Sequence, residues 1–179
     1  MLIARHTAII GKTIVIPSKA LRTTTTNSNK EIIKLLLDFP SYDINSKLAG
    51  KTALHCAILC KIPHIIRMLL ATRKCNLHVK DYFGRTVLAL ASKASTANIV
   101  RIVLDFAEAR LIVNLGDNDS YTPLYYIACK GDKVITKLLL DVGQADLNAM
   151  TFSRSTPIEL AAMSKQQSII EILMQLLNC

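Results

Sequence analysis

The sequence lacks any uninterrupted apolar run near the 18 or so residues of a membrane span. A spanning helix is thereby excluded, and the 51% of residues that are apolar must be buried against protein. Arg5, His6 and Lys12 cut the first sixteen residues into short apolar pieces, so no secretory signal is expected. The five cysteines (Cys56, Cys60, Cys75, Cys129, Cys179) show no C-x-x-C spacing, and their odd number argues against a disulfide framework. A reducing compartment, cytoplasmic or nuclear, is expected. The motifs GxGxxG, GxSxG and HExxH are all absent. Gly11-Lys12-Thr13 and Gly50-Lys51-Thr52 each match the end of a phosphate-binding loop, but His6 and Asn45 stand where that loop needs its first glycine. Disorder is excluded by a mean hydropathy of +0.33. The 179 residues are too few for two ordinary domains and a linker.

Acidic residues are scarce in one stretch. Residues 1–46 carry +3, residues 47–101 carry +9 with Asp81 as their one acid, and residues 102–179 carry −3. Such a local field attracts acidic protein surfaces or phosphates. The first thirty residues, with five basic side chains, no acid and many threonines, have a transit-peptide-like composition without a clear amphipathic helix. Mitochondrial import stays as an alternative address.

What the sequence does have is a repeat. Gly50-Lys51-Thr52-Ala53-Leu54-His55-Cys56-Ala57 returns as Gly84-Arg85-Thr86-Val87-Leu88-Ala89-Leu90-Ala91, as Ser120-Tyr121-Thr122-Pro123-Leu124-Tyr125-Tyr126-Ile127-Ala128, and as Arg154-Ser155-Thr156-Pro157-Ile158-Glu159-Leu160-Ala161. Thirteen residues after each threonine comes an apolar, leucine-rich run: Ile65-Ile66, Ile99-Val100, Ile135 and Ile169-Ile170 begin them. Two short helices per unit follow. Each threonine is placed to cap the first helix, and Pro123 and Pro157 sit at first helical positions, where no amide is needed. Ala57, Ala91, Ala128 and Ala161 let paired helices approach, Pro63 and Gly131 mark the turn into the second helix, and extended stretches such as Asn76–Val79 lead into the next cap as hairpin-like fingers.

These residues resemble the ankyrin repeat, whose pattern includes T-P-L-H-x-A at a period near 33. The resemblance implies an all-α solenoid of paired antiparallel helices with hairpin-like fingers. It covers residues 17–179, divided as a degenerate unit 17–46 and units 47–79, 80–115, 116–149 and 150–179. Ile32–Leu37 supplies the second helix of the degenerate unit, whose first helix starts at Pro17 rather than at a Thr13 cap. Residues 1–16 are unassigned. Among the departures from the pattern, only His55 keeps the motif histidine, and Ser120 and Arg154 replace a glycine. Two extra residues near Ala107–Arg110 should make that link bulge.

The family implies a protein-interaction module acting as adaptor, scaffold or stoichiometric inhibitor, binding through finger tips and the concave helix face, with no catalysis and no cofactor. The repeat register places Leu48, Lys51, Leu59 and Cys60, then Lys80, Tyr82, Phe83, Arg85, Lys93 and Ala94, then Asn118, Asp119, Tyr121, Cys129 and Lys130, and finally Phe152, Ser155, Met163 and Ser164 on that surface. Tyr82, Phe83, Arg85, Tyr121 and Phe152 are the expected anchors, because aromatic and Arg side chains dominate interface energy. An acidic protein surface is the expected partner. Nucleic acid or phosphate is the alternative, since Lys80–Arg85 interleaves aromatic with basic residues once. His55, Cys56, Cys60 and His64 have a metal-like spacing, yet the repeat accounts for each as a core or capping residue, and no metal is assigned. At the C-terminal end, Ile169, Leu173 and Leu176 are expected to pack inward, leaving Ile170, Met174 and Leu177 for a second copy, a partner or further repeats.

Overall fold

Four threonine caps set the architecture. The computed structural model describes residues 8–10, 13–15, 43–47 and 49–177. A short antiparallel hairpin, β1 (Ala8–Ile10) with β2 (Thr13–Val15), pairs Ile9 with Ile14, so Thr13 begins a strand and caps no helix. Among the described residues four helix pairs follow: α1 (Ala53–Leu59) with α2 (Pro63–Ala71), α3 (Val87–Lys93) with α4 (Ala97–Leu104), α5 (Pro123–Lys130) with α6 (Lys133–Lys137), and α7 (Pro157–Met163) with α8 (Gln167–Leu177). The second helix of the degenerate unit, the site residue Leu48 and Cys179 lie outside the described residues.

The hydroxyls of Thr52, Thr86, Thr122 and Thr156 accept from the amides of His55, Ala89, Tyr125 and Glu159 at 3.4, 3.3, 3.3 and 3.5 Å. Each satisfies one amide that a helix start would leave unpaired. Pro123 and Pro157 open α5 and α7, and Pro63 opens α2. The turn between paired helices needs one left-handed residue, filled by Lys61, Ser95, Gly131 and Lys165 in successive units.

First helices stack on first helices and second on second. Ala57, Ala91, Ala128 and Ala161 are fully buried at the contact between paired helices, where a larger side chain would hold the pairs apart. Ile65, Ile66 and Leu69 of α2 and Ile99, Val100, Ile102 and Val103 of α4 are buried to within a few percent, each stabilising the array by roughly 1.5–3 kcal/mol. Most of this interior is one continuous cluster from Ile44 to Leu139. A smaller one, Ala128, Ala161, Ile169 and Leu173, seats the last helix pair. Half-buried Leu140 and Leu147 touch both.

Two irregular stretches interrupt the repeat. The link lengthened by two residues forms a 3-10 turn, Ala107–Leu111, that buries Ala109 and exposes Leu111. After α6 the chain widens into a π-helical turn over Leu138–Val142, with Gly143 N–H donating to Leu138 O at 3.2 Å. At the far end Ile169 and Leu173 pack inward as expected, but Leu176 does not: it is 44% exposed. The reason is length, since α7 has seven residues and α8 eleven, which leaves the last turn of α8 without a first helix beside it.

Candidate functional site

In three of the four units the finger is organised by an acceptor five residues before the capping threonine; the first has Lys47 there. In the second unit that residue is Asp81, whose Oδ1 accepts from the amides of Phe83 and Arg85 at 2.9 and 3.0 Å. Its Oδ2 accepts from Arg85 Nε and an Arg85 terminal nitrogen at 2.9 and 2.7 Å. Asp117 does the same in the third unit, accepting from the amides of Asp119 and Tyr121 at 2.9 Å and from the Tyr126 hydroxyl. Thr151 Oγ1 takes the role in the fourth, accepting from Ser155 N–H at 3.2 Å. Burial alone would raise the Asp81 pKa, but the donors from Arg85 and Phe83 outweigh it and hold the carboxyl below its ordinary value. These acceptors were not singled out in the sequence, although their regular offset from the threonines was available to be read.

Fingers are also tied to one another. The Asn118 amide and side-chain Nδ2 donate to Phe83 O and Tyr82 O at 3.0 and 3.1 Å. Lys80 Nζ donates to Gly116 O at 2.8 Å. The Asn118 side chain lies over Gly84 and the Tyr82 ring over Gly50, both glycines with positive φ and no room for a Cβ. Between α1 and the neighbouring finger, His55 carries the tie. Its Nδ1 is 2.8 Å from Thr52 Oγ1, and Nε2 is 3.4 Å from Arg85 O, so both ring nitrogens of the candidate metal ligand are engaged. Burial lowers its pKa against the opposing pull of the Arg85 carbonyl. Glu159, at the equivalent position of the last unit, instead closes a capping box with the Thr156 amide at 2.8 Å.

The expected anchors are placed unequally. Tyr82, Phe83 and Phe152 are 71, 61 and 76% exposed at finger tips, joined by Met150 on the fourth finger and by Leu59 and Met163 at one register position of the first helices. Arg85 is different: its side chain is 11% exposed, salt-bridged to Asp81 and stacked 4.4 Å over the Phe83 ring, so it braces the finger. Tyr121 belongs to a cluster. It stacks on Tyr125 with ring centroids 4.1 Å apart and planes 9° apart, while Tyr126 meets both edge-on at 6.1 and 6.5 Å. Burial, reinforced by the Tyr121 hydroxyl, pushes the Tyr125 phenol up to about 12. Burial and the bond to Asp117 push Tyr126 up as well. Lys93 Nζ sits 5.2 Å over the Tyr126 ring, and Lys130 Nζ donates to the Lys93 carbonyl.

The basic field divides among several faces. Lys47, Lys51, Lys80, Arg85 and Lys93 stand on fingers and first helices, Arg67 and Arg101 are exposed on second helices, Lys61 is in an inter-helix turn, and Arg73 and Lys74 follow α2. Cys75 beside them is pushed up to about 11 by burial, which keeps the thiol protonated at neutral pH. Among the described residues no group of three or more His, Cys, Asp or Glu could hold a metal ion, and no helix is long and apolar enough to cross a membrane.

Stacked helix pairs with capped fingers on one side define a helical repeat solenoid. A family model for ankyrin repeats, three copies long, matches residues 11–81, 64–151 and 108–179, and the chain belongs to the ankyrin repeat family. It is 30% identical over 155 residues to the tyrosine-protein kinase Shark of Drosophila melanogaster, covering 86% of this chain and 16% of the kinase. It is 28% identical over 149 residues to the putative ankyrin repeat protein L371 of Acanthamoeba polyphaga mimivirus, covering 82% of this chain and 19% of that protein. The chain thus spans less than a fifth of either relative. Ankyrin repeats are non-catalytic domains that bind protein partners.

Proposed function

We propose that this chain is a non-catalytic adaptor or stoichiometric regulator that holds an acidic protein across its finger tips and first helices. One observation carries the reading. Of the twelve large apolar side chains exposed among the described residues, six (Tyr82, Phe83, Met150, Phe152, Leu59 and Met163) stand on fingers and first helices, with Tyr82 and Phe152, and Leu59 and Met163, at matching register positions. Lys51 and Lys93 supply positive charge beside them, while Lys80 and Arg85 keep the fingers in place. Aromatic tips give contact area at low entropic cost, and the lysines steer encounter with an acidic surface.

Capture from nuclease-treated extract tests this. The wild-type chain should retain acidic proteins that a Tyr82→Ala, Phe83→Ala, Phe152→Ala variant with unchanged helicity releases, and retention should weaken as salt rises. Capture abolished by the nuclease, or undiminished in the triple variant, refutes the reading.

A further inference from the structure

The tyrosine cluster is unusual for its position. Tyr125 stands at the register position that His55 fills in the first clear unit, where a ring bonds the neighbouring finger, and Tyr126 stands where Cys56, Leu90 and Leu160 are buried. Both tyrosines remain half-exposed. They are fixed from three sides: Tyr121 stacks on Tyr125, Asp117 accepts from the Tyr126 hydroxyl, and Lys93 caps the Tyr126 ring. Lys130, one unit along, donates to the Lys93 backbone carbonyl, so two exposed lysines from adjacent units stand beside a rigid aromatic platform.

We infer that this platform is a recognition pocket for an extended acidic segment of a partner protein, with a partner carboxylate held between Lys93 and Lys130 and an adjacent apolar side chain laid against the edge of the Tyr121–Tyr125 pair. This rests on the acidic-partner reading above and assigns it a centre. The rings favour a peptide over single-stranded nucleic acid. Tyr121 and Tyr125 use facing sides on each other at 4.1 Å, which leaves no slot at base spacing. Lysine donors to a carboxylate are charge-assisted, and the platform is ordered before the partner arrives.

The chain contains no tryptophan and five tyrosines, three of them here, so its intrinsic emission reports on this site. The probe is a fluorescein-labelled peptide alternating Glu with Pro, which stays extended and carries no tyrosine. It should bind with a salt-dependent affinity and alter the tyrosine emission. Lys93→Gln with Lys130→Gln should weaken binding about tenfold, while Arg67→Gln with Arg101→Gln, which removes the same charge from the second helices, should change it less than twofold. Tyr121→Phe, which keeps the stack, should retain the emission change. If both double variants bind like wild type, or both weaken equally, the pocket assignment falls while the acidic-partner reading stands. If the peptide does not bind, or poly(U) binds more tightly, both fall.

Discussion

Gly84 and Ser120 occupy the same register position with the same left-handed backbone, φ +74° and +65°, and substitutions there should act in opposite directions. A Cβ on Gly84 would lie 2.6 Å from the backbone nitrogen of Asn118, atoms that cannot both stay. Gly84→Ala therefore adds a left-handed L-residue, costing about 1–2 kcal/mol. It also displaces Asn118 from its bonds to Phe83 O and Tyr82 O, each contributing about 0.5–1.5 kcal/mol, less where water replaces them. A total loss of about 2–3 kcal/mol follows, shifting a urea midpoint by about 1 M for a slope near 2 kcal/mol/M. Ser120→Gly removes about 1 kcal/mol of backbone strain and is offset by the extra freedom of glycine in the unfolded chain, for a net gain of up to about 0.5 kcal/mol. Urea unfolding followed by far-ultraviolet circular dichroism measures both. A Gly84→Ala midpoint within error of wild type, or a Ser120→Gly loss as large as that of Gly84→Ala, would refute the argument that finger-to-finger packing selects glycine here.

Two further predictions concern buried polar groups. Because burial lowers the His55 pKa in the folded chain, the unfolded chain binds the proton more readily, so stability is full above the unfolded value of 6.5 and is lost as pH falls below it. Urea midpoints at pH 7.5 and 5.5 should show this drop, and it should shrink in His55→Leu; an identical drop in both chains removes His55 as its source. The Ser92 hydroxyl is buried with no hydrogen-bond partner, so Ser92→Ala should stabilise the fold by about 1 kcal/mol, and a loss of stability would show that the hydroxyl is satisfied.

The helical frame was legible because its determinants are local. A threonine followed by an apolar stripe caps a helix through its own next three residues, and Thr52, Thr86, Thr122 and Thr156 all do so. The link at Ala107–Arg110 was likewise visible from a change in period, and it became a 3-10 turn. The surface was legible only in part. Arg85 reads as a free anchor until Asp81, four residues back, is seen to hold it, and Lys80 is bonded to a carbonyl 36 residues away. Tyr125 and Tyr126 escaped notice as site residues because the motif places a capping residue and a core residue there. Their half-exposed stack depends on Tyr121 and on Lys93 of another unit. Segment charge was no better guide, since helical geometry scatters the basic stretch over several faces.

The seam between the two buried clusters divides the interior of the array into two bodies that share few side chains. Units that touch only their neighbours behave under load like springs in series, and the softest junction yields first. The seam lies where the last helix pair packs through Ala128, Ala161, Ile169 and Leu173, bridged to the rest by Leu140 and Leu147. The aromatic tip Phe152 and Met163 ride on the far side of it, whereas Tyr82 and Phe83 ride on the larger cluster. A bound protein gripping both sets of contacts would span the seam and act as a splint, so the grip itself would couple the two bodies.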